Sequence, residues 1–368
     1  MRAEALAPAA PVADPGRARA RAEALRARAR FEAMGAEVFE TDVLQPAGPL
    51  LDLYGEDIRA RAFTTHDPIG GERMLRPDFT VAVVRAHLAR GATPARYAYA
   101  GEVFRRQEVE GRPSEYLQAG IEVFDDRDPP ARDAEVLAAL LGAVEGAPVE
   151  PVAGDMGLLL AAVRGLRASP RRRAMLARHV WRPARFRALL DRFGRPGARA
   201  VPEDAAIEAA VEAGAPEIGE RGAEEVARRL AALREDAAEP PIPAEQIAAL
   251  GELLALAGPS AAMPGPLRVL AARLPGLDRA AEGFARRLDA LAARGIEPGA
   301  LPFEASLGRA TLEYYDGFVF HLRRPGRPEE PPLASGGRYD ALTRVLGGGR
   351  GIPAVGGILR PALLLGAP

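Results

Sequence analysis

Several short segments within the first 125 residues alternate between hydrophobic and polar positions, a pattern that is typical of strands. Aromatic and β-branched residues recur at every second position in several short segments, and residues with turn-forming tendency separate them. Gly70 and Gly71 lie between two of these segments and indicate a hairpin. The predicted strands cover 36–41, 60–67, 72–80, 97–106 and 115–125.

Helical spacing of apolar residues also occurs in this part of the chain, at about 16–34, 81–91 and 131–146. The pattern changes completely between about 155 and 300. Helical segments follow one another there, with Pro and Gly between them, and we find neither a strand pattern nor a fixed-period repeat. This stretch is therefore predicted to be a helical domain inserted into a sheet-containing one.

Strand patterns return at 303–308, 311–323 and 353–360, with a short helix at 339–347. An antiparallel sheet interrupted by a helical insertion is an α+β architecture. The predicted divisions are a disordered tail at 1–16, a first sheet-containing part at 17–154, an all-helical insertion at 155–300, and a second sheet-containing part at 301–368.

Composition narrows the possible chemistry. The chain has 368 residues and a net charge of −1, so no global field attracts nucleic acid or an anionic membrane. It has no cysteine and no lysine, which excludes disulfides, thiolate metal sites and a Schiff-base lysine. No apolar run reaches the roughly 18 residues that a membrane span needs, and no signal peptide is evident. We expect a cytoplasmic protein with no membrane association.

Standard signatures of cofactor and metal sites are missing from the sequence. There is no Walker A motif, GxSxG elbow or HExxH motif. The four histidines, His66, His87, His179 and His321, lack the spacing of metal ligands. The glycine-rich stretch at 347–351 lacks the strand and helix that flank a dinucleotide loop. We therefore expect no cofactor and no metal.

Basic residues cluster between 171 and 187, around the only tryptophan, Trp181. Arginines interleaved with an aromatic ring are compatible with RNA binding. They are equally compatible with docking to an acidic partner, and charge runs on helices are most often solvated faces.

Four segments carry the most specific signal, by their order, spacing and residue types. Together they resemble the catalytic domain of histidyl-tRNA synthetase, a class II synthetase, over roughly 35–155 and 300–368. The resemblance implies a class II synthetase-like antiparallel sheet flanked by helices. The segments are LRPDFT (75–80), GEVFRRQEVEGRPSEYLQAGIEVF (101–124), LEYYDGFVF (312–320) and SGGRYDAL (335–342).

The same resemblance implies a site for free histidine. Such a ligand needs carboxylates for its ammonium group and polar partners for its carboxylate and imidazole. Four of the matching residues would surround the amino and carboxylate groups, two tyrosines would line the imidazole pocket, and one arginine ends the first strand of the hairpin. No catalytic residue is expected. In that order, the implied ligand-binding residues are Asp78, Thr80, Gln118 and Glu122, then Tyr315 and Tyr339, then Arg105.

The sequence departs from the synthetase pattern where ATP is handled. Ala310 occupies the position of the catalytic arginine, and Arg309 is displaced by one residue. On a strand this displacement would direct Arg309 to the opposite face, where it cannot stabilise charge during adenylate formation. The last class II motif corresponds to PAVGGILRPALLL (353–365), and in synthetases its arginine contacts ATP. Here Ala362 and Leu363 replace the glutamate and the arginine of that motif, and Arg360 comes three residues early.

Further departures affect other parts of the synthetase pattern. The FRxE motif of the long hairpin reads FRRQ (104–107) here, so Gln107 replaces its acidic residue. The first class II motif is expected as Thr-Pro and reads Thr41-Asp42, so the expected dimer interface is altered. The chain stops at Pro368, where the synthetase continues into an anticodon-binding domain of about a hundred residues. tRNA is therefore an unlikely partner in this reading.

A synthetase-like chain with these losses is similar to the regulatory subunits of short-form ATP phosphoribosyltransferase. In that family the subunit associates with itself and with a short catalytic chain in a hetero-octamer. It activates phosphoribosyl transfer to ATP and takes part in feedback inhibition by histidine. The resemblance implies these roles and partners here. Two alternatives remain: a divergent, working histidyl-tRNA synthetase, and a synthetase-like module that binds RNA through 171–187.

Overall fold

The structure is a computed structural model, and it describes residues 15–48, 61–107, 112–196, 223–309 and 314–366. The predicted tail at 1–16 lies outside these residues up to position 14. The helices are α1 (Pro15–Ala33), α2 (Thr80–Arg90), α3 (Pro129–Ala143), α4 (Met156–Arg164), α5 (Pro170–Arg178), α6 (Pro183–Phe193), α7 (Ala223–Ala238), α8 (Ala244–Ala255), α9 (Pro264–Ala271), α10 (Leu277–Ala292), α11 (Asp340–Leu346) and α12 (Pro361–Leu364). The strands are β1 (Glu37–Val38), β2 (Leu44–Pro46), β3 (Thr64–Asp67), β4 (Gly71–Leu75), β5 (Ala95–Phe104), β6 (Glu115–Phe124), β7 (Glu150–Asp155), β8 (Ala257–Pro259), β9 (Pro302–Glu304), β10 (Phe318–Arg323), β11 (Ala334–Arg338) and β12 (Ala354–Leu359).

Nine of the described strands form one sheet in the order β1-β5-β6-β12-β11-β10-β7-β9-β8. Neighbours from β5 to β7 are antiparallel, whereas the pairs β1–β5 and β7–β9 near the two edges are parallel. The strands β2, β4 and β3 form a separate small antiparallel sheet. The predicted α+β fold with a central antiparallel sheet is therefore confirmed.

Residues of β6 alternate between the two faces of the large sheet, as side chains of any strand must. Ile121 and Val123 lie on the face that α1 and α3 cover, in a core with Phe31 and Leu140. Gln118, Gly120 and Glu122 lie on the opposite face, under α2. That second face shares its apolar core with the helical segment, so polar side chains on it are enclosed between two structural layers.

Between β7 and β9 the described chain is helical, apart from β8 and a single 3-10 turn. Side-chain caps define where several of these helices begin: Asp155 accepts a hydrogen bond from the Gly157 amide at 2.7 Å, and Ser169 accepts one from the Arg172 amide at 3.3 Å. The strand β8 was not predicted. Its three residues pair with β9 at the edge of the sheet, too short a segment for an alternating pattern to be visible.

A buried ion network links the helical segment to the sheet. Arg287 of α10 donates to Asp133 of α3 and to Asp155 at the end of β7, each at 2.7 Å. Arg338 of β11 donates to the second oxygen of Asp133 at 2.9 Å. All four side chains are buried, so each charge depends on its partners to offset lost hydration. The network fixes how α10 lies against the sheet.

Two of the predicted C-terminal strands are shorter in the structure. The pattern at 311–323 predicted one long strand, of which 311–313 lie outside the described residues. In the described part β10 begins only at Phe318, and Tyr315 before it has no regular secondary structure. The pattern at 303–308 yields only β9, followed by a turn. Gly308 has a φ of 93°, which an extended strand cannot accommodate. The predicted helices at 81–91 and 339–347 correspond to α2 and α11 within a residue or two.

Candidate functional site

The candidate site lies on the sheet face opposite α1 and α3, above the middle of β6. Two glycines, each paired with a site residue on the neighbouring strand, leave space for the side chains of those residues. Gly120 pairs with Tyr99 of β5, and a Cβ there would lie 2.4 Å from the Tyr99 hydroxyl. Gly356 of β12 pairs with Glu122, and a Cβ there would lie 1.5 Å from its Oε2. Glycines inside strands often mark such close approaches.

Glu122 is the centre of a hydrogen-bond network from three separate elements. Its Oε1 accepts a bond from the Thr80 hydroxyl at the start of α2, at 2.9 Å, and one from the Tyr99 hydroxyl, at 3.0 Å. Its Oε2 accepts a bond from the hydroxyl of Tyr339, which precedes α11, at 2.5 Å. The Tyr99 ring stacks on Phe79 with centroids 4.4 Å apart, which fixes the position of its hydroxyl.

Burial dominates the electrostatics of this carboxyl group. Glu122 is only 1% exposed, and burial raises its pKa to about 7, although its three hydroxyl donors oppose the shift. The pKa values of Tyr99 and Tyr339 are raised well above 10, first by burial and then by the charge of Glu122. Within the described part of the chain no cation forms an ion pair with Glu122. A cationic ligand group would therefore find an enclosed, uncompensated carboxylate.

Asp78, Arg105 and Gln118 lie beside this network. The Arg105 Nη2 atom is 3.5 Å from Asp78 Oδ2 and donates to the Pro77 carbonyl at 2.9 Å. The charge of Asp78 contributes to the raised pKa of Glu122, so the two carboxyls are close enough to interact. Gln118 shares the sheet face of Glu122, and its Oε1 is buried without a hydrogen-bond partner among the described residues. These polar atoms supply a carboxylate, a guanidinium and an amide.

Two adjacent tyrosines bound the site on the side of the helical segment. Burial, and then the charge of Glu122, raises the pKa of Tyr315. The Tyr314 ring lies 4.7 Å from that of Tyr315 and meets the Tyr339 ring edge-on at 6.0 Å. The structure thus brings the predicted tyrosines to the carboxylates. Glu122 and Tyr339 bond directly to each other, and the assignment of each to one end of a ligand stays a prediction.

The displaced arginine of the synthetase pattern is directed away from this site. Arg309 lies in a turn after β9 rather than on a strand, and its Nε donates to the Val180 carbonyl of the α5–α6 linker at 2.8 Å. Its guanidinium lies over the Phe186 ring, 5.1 Å from the centroid. The sequence predicted that Arg309 would point away from the site because it lies on the opposite face of a strand. In the structure Arg309 points away because a turn directs it to Val180. Ala310 lies outside the described residues.

A cavity of about 390 Å³ opens next to Arg105 at the end of β12. Arg360 lines it and donates to the Pro332 carbonyl at 2.7 Å. Burial, and then the neighbouring charge of Arg105, lowers the pKa of Arg360. The lining guanidinium groups belong to Arg61, Arg105, Arg106, Arg112 and Arg360.

Comparisons with known proteins agree with this architecture. The family model described as histidyl-tRNA synthetase matches residues 13–192 and 206–362. The ATP phosphoribosyltransferase regulatory subunits of Brucella canis and Brucella abortus are both 36% identical to the chain in alignments of 348 residues. The alignments cover 89% of this chain, and 92% and 91% of the two relatives. The chain belongs to the family of ATP phosphoribosyltransferase regulatory subunits.

Solved structures show the same fold as this regulatory-subunit chain. One, from Bacillus halodurans C and described as an ATP phosphoribosyltransferase regulatory subunit/histidyl-tRNA synthetase, has a TM-score of 0.66 and 20% identity, covering 96% of this chain and 80% of that chain. A histidine–tRNA ligase subunit from Alicyclobacillus acidocaldarius has a TM-score of 0.59 and 25% identity, covering 99% and 97%. They confirm the predicted class II synthetase-like fold.

Several contributors to the site were not predicted from the sequence of this regulatory-subunit chain. Tyr99 was not singled out, although a tyrosine that faces a glycine across two strands, here Gly120, is a usable signal once the register is known. Gly356 lies in the last synthetase motif, but the motif did not indicate its close approach to Glu122. Trp181 was assigned to a basic cluster, but its indole donates to the Tyr315 carbonyl at 3.3 Å. In the same cluster, Arg172 is buried and pairs with Asp236 at 2.8 Å.

Two kinds of feature are absent from the described residues of this regulatory-subunit chain. No helix there is long and apolar enough to span a bilayer. No group of three or more histidine, aspartate or glutamate side chains in that part of the chain is arranged to hold a metal ion.

Proposed function

We propose that this chain is the non-catalytic regulatory subunit of a short-form ATP phosphoribosyltransferase. In this role it activates the first step of histidine biosynthesis and takes part in feedback inhibition by histidine. The observation that carries the proposal is 36% identity over most of both chains to proteins named as this regulatory subunit. The match to the histidyl-tRNA synthetase family model, over residues 13–192 and 206–362, includes every residue of the candidate site.

The proposed ligand of the Glu122 site is free histidine. An α-ammonium or imidazolium group would supply the counter-charge that the buried Glu122 carboxylate lacks among the described residues. Asp78 adds a second carboxylate, while Thr80, Gln118 and Tyr339 add polar groups that orient a small ligand. Arg105 is the nearby cation for the ligand carboxylate. Tyr315 completes the set on the apolar side.

Regulation by histidine requires that the ligand bind one state of the complex more tightly than the other. Tight binding with equal affinity for both states would change nothing. The site is suited to such a difference because its groups come from α2, β5, β6 and the segment before α11, and small shifts between these elements change several contacts together. Histidine would stabilise the less active arrangement of the complex.

We further propose that the chain does not aminoacylate tRNA. Adenylate formation needs a cation beside the reacting phosphate, and Arg309 is directed to the Val180 carbonyl instead. One observation favours the alternative of a divergent histidyl-tRNA synthetase: five arginines line the cavity beside Arg105. Histidine-dependent ATP–pyrophosphate exchange separates the two, because only a working synthetase catalyses it.

The proposed partners are the short catalytic chain and a second copy of this chain, within a hetero-octamer in the cytoplasm. Exposed apolar side chains at the small sheet support self-association. Val43, Leu44 and Phe63 are 39%, 51% and 40% exposed, and they lie on or directly before the paired strands of this sheet, where they offer an apolar contact surface. Size-exclusion chromatography with light scattering, on the chain alone and on a mixture with the catalytic chain, tests both assemblies.

The deciding experiment is an assay of phosphoribosyl-ATP formation by the short catalytic chain of the same genome, with and without this protein and with and without histidine. We expect strong activation by this protein and loss of that activation on adding histidine. A Glu122→Gln variant should activate but respond weakly to histidine. Glu282→Gln, an exposed residue of α10, is the matched control. If this protein neither activates nor co-elutes with the catalytic chain, the proposal is wrong.

A further inference from the structure

The linker between α5 and α6 contacts both ends of the segment that carries the site tyrosines. At one end, Arg309 donates through Nε to the Val180 carbonyl at 2.8 Å. At the other end, the indole Nε1 of Trp181 donates to the Tyr315 carbonyl at 3.3 Å. Two successive linker residues therefore hold positions 309 and 315, and the hydrogen bonds run in opposite directions.

The Arg309–Val180 contact is buried and the Trp181–Tyr315 contact is partly buried, so the loss of either is costly. Val180 is fully buried and Arg309 is 9% exposed. Trp181 is half-buried and packs against the core that the sheet face and the helical segment share. A buried donor or acceptor that loses its partner retains its full desolvation penalty. Arg309 and Tyr315 are therefore held where the linker places them.

From Tyr315 the contacts continue to the carboxylate of the candidate site. Tyr315 is buried, and the charge of Glu122 contributes to its raised pKa. The Tyr314 ring contacts the Tyr315 ring and lies edge-on to Tyr339, whose hydroxyl bonds to Glu122. One chain of packed side chains thus joins the linker of the helical segment to the ligand-binding carboxylate.

We propose that Trp181 is a positioning residue that couples the helical segment to the ligand site: its hydrogen bond to Tyr315 holds the tyrosine wall of the pocket in the shape that binds ligand. The inference rests on the proposed function in taking histidine as the ligand. It adds that the helical segment and the pocket change together. Because coupling free energy is reciprocal, a ligand that needs the tyrosine wall in place also stabilises the linker against the sheet.

The same contact provides its own reporter. Trp181 is the only tryptophan in the chain, so all tryptophan fluorescence comes from the linker. Its indole donates a hydrogen bond to a residue of the pocket, and indole emission responds to a change in that environment. In the wild type, saturation with histidine should shift this emission, with a midpoint at the dissociation constant that calorimetry gives.

The test compares histidine affinity, by calorimetry, in the wild type, Trp181→Phe and Leu250→Ala. Trp181→Phe keeps an aromatic ring and removes the donor. It should bind histidine about five- to tenfold more weakly, the equivalent of one hydrogen bond. Leu250 is buried in α8, so its truncation destabilises the helical segment without removing the contact to Tyr315. The Leu250→Ala variant should retain wild-type affinity.

Each other result overturns the inference, and the results separate it from the proposed function. If the wild type gives no heat with histidine, both fail. If the wild type binds histidine, the inference alone fails in three cases: unchanged emission at saturation, wild-type affinity in Trp181→Phe, or equal weakening in Leu250→Ala. The fluorescence measurement uses only the wild type, so it decides the question even if Trp181→Phe does not fold.

Discussion

The Glu122 carboxylate lies against the α-carbon of Gly356 on the neighbouring strand, so close that a Cβ at position 356 would come within 1.5 Å of its Oε2. The two residues are paired across β6 and β12, and Glu122 extends over its neighbour instead of standing upright. This arrangement brings Oε2 to the hydroxyl of Tyr339, 2.5 Å away. The glycine is thus part of the site although it has no polar side chain.

The first prediction concerns this close approach. Gly356→Ala should displace Glu122, break its bonds to the surrounding hydroxyls and abolish histidine binding, and overpacking should lower the free energy of unfolding by about 1–3 kcal/mol. Gly251→Ala is the control: position 251 lies in α8 with nothing within 4 Å of the added carbon, and alanine there should stabilise the helix by about 0.5–1 kcal/mol. Calorimetry and denaturant unfolding measure both effects. Normal histidine binding by Gly356→Ala would contradict the geometry.

The second prediction concerns pH and the stability of the free protein. The pKa of Glu122 rises from an ordinary value near 4.5 to about 7 in the folded chain, so the folded state binds more protons than the unfolded state between these values. Stability should therefore fall as pH rises through this window, and level off above it. Glu122→Gln removes the dependence. The difference in unfolding free energy between the two proteins should change by about 3 kcal/mol from pH 4.5 to 8.

Denaturant unfolding at a series of pH values measures this difference. Burial also raises the pKa of Asp316 to about 7, but Asp316 is present in both proteins, so its contribution cancels. Parallel stability curves for the wild type and Glu122→Gln would show that the carboxyl group is not buried as described.

The site residues that could be predicted from the sequence are those in motifs that follow one another in the same order as in the synthetase. Thr80, Glu122 and Tyr339 come from three separate motifs, and the structure joins them by direct hydrogen bonds. Their types and order in the chain were enough to group them, because the class II resemblance supplies the sheet on which they meet. The roles of the individual residues toward a ligand stay predictions, and the structure adds a direct bond between Glu122 and Tyr339 that the sequence did not indicate.

Contacts that depend on packing between distant elements could not be predicted. Arg360 comes three residues before its motif position, yet β12 ends where its guanidinium lies beside Arg105 and lines the same cavity. Trp181 contacts Tyr315 across 134 positions of sequence, and no local pattern encodes that distance. A short strand such as β8 forms because β9 is available to pair with it, not because its own residues alternate.

The third prediction tests the buried ion network. Arg287→Met should lower the free energy of unfolding by about 3–5 kcal/mol, because it leaves Asp133 and Asp155 buried with fewer cationic partners. Arg286→Met is the matched control, since Arg286 is the preceding residue of α10 and is exposed; it should change stability by less than about 0.5 kcal/mol. Denaturant unfolding measures both. Equal effects of the two substitutions would mean that the network does not hold α10 against the sheet.

The last prediction uses the hydroxyl of Thr80 to adjust the charge of Glu122. The Thr80 hydroxyl bond is one of three that lower the pKa of this carboxyl group against the effect of burial. Thr80→Val keeps the shape of the side chain and removes the donor, so the pKa should rise further and less of the carboxylate should be ionised at pH 7. Because a cationic ligand group binds the ionised form, histidine affinity should fall about three- to tenfold at pH 7.

At pH 8.5 the affinity difference between Thr80→Val and the wild type should shrink. At that pH Glu122 is largely ionised in the wild type, and in the variant it is more ionised than at pH 7. Calorimetric titrations with histidine at the two pH values measure the change. Thr64→Val, on the exposed strand β3, serves as the control and should bind like the wild type at both. A deficit of the same size at both pH values would mean that Thr80 acts through direct contact with the ligand rather than through the charge of Glu122.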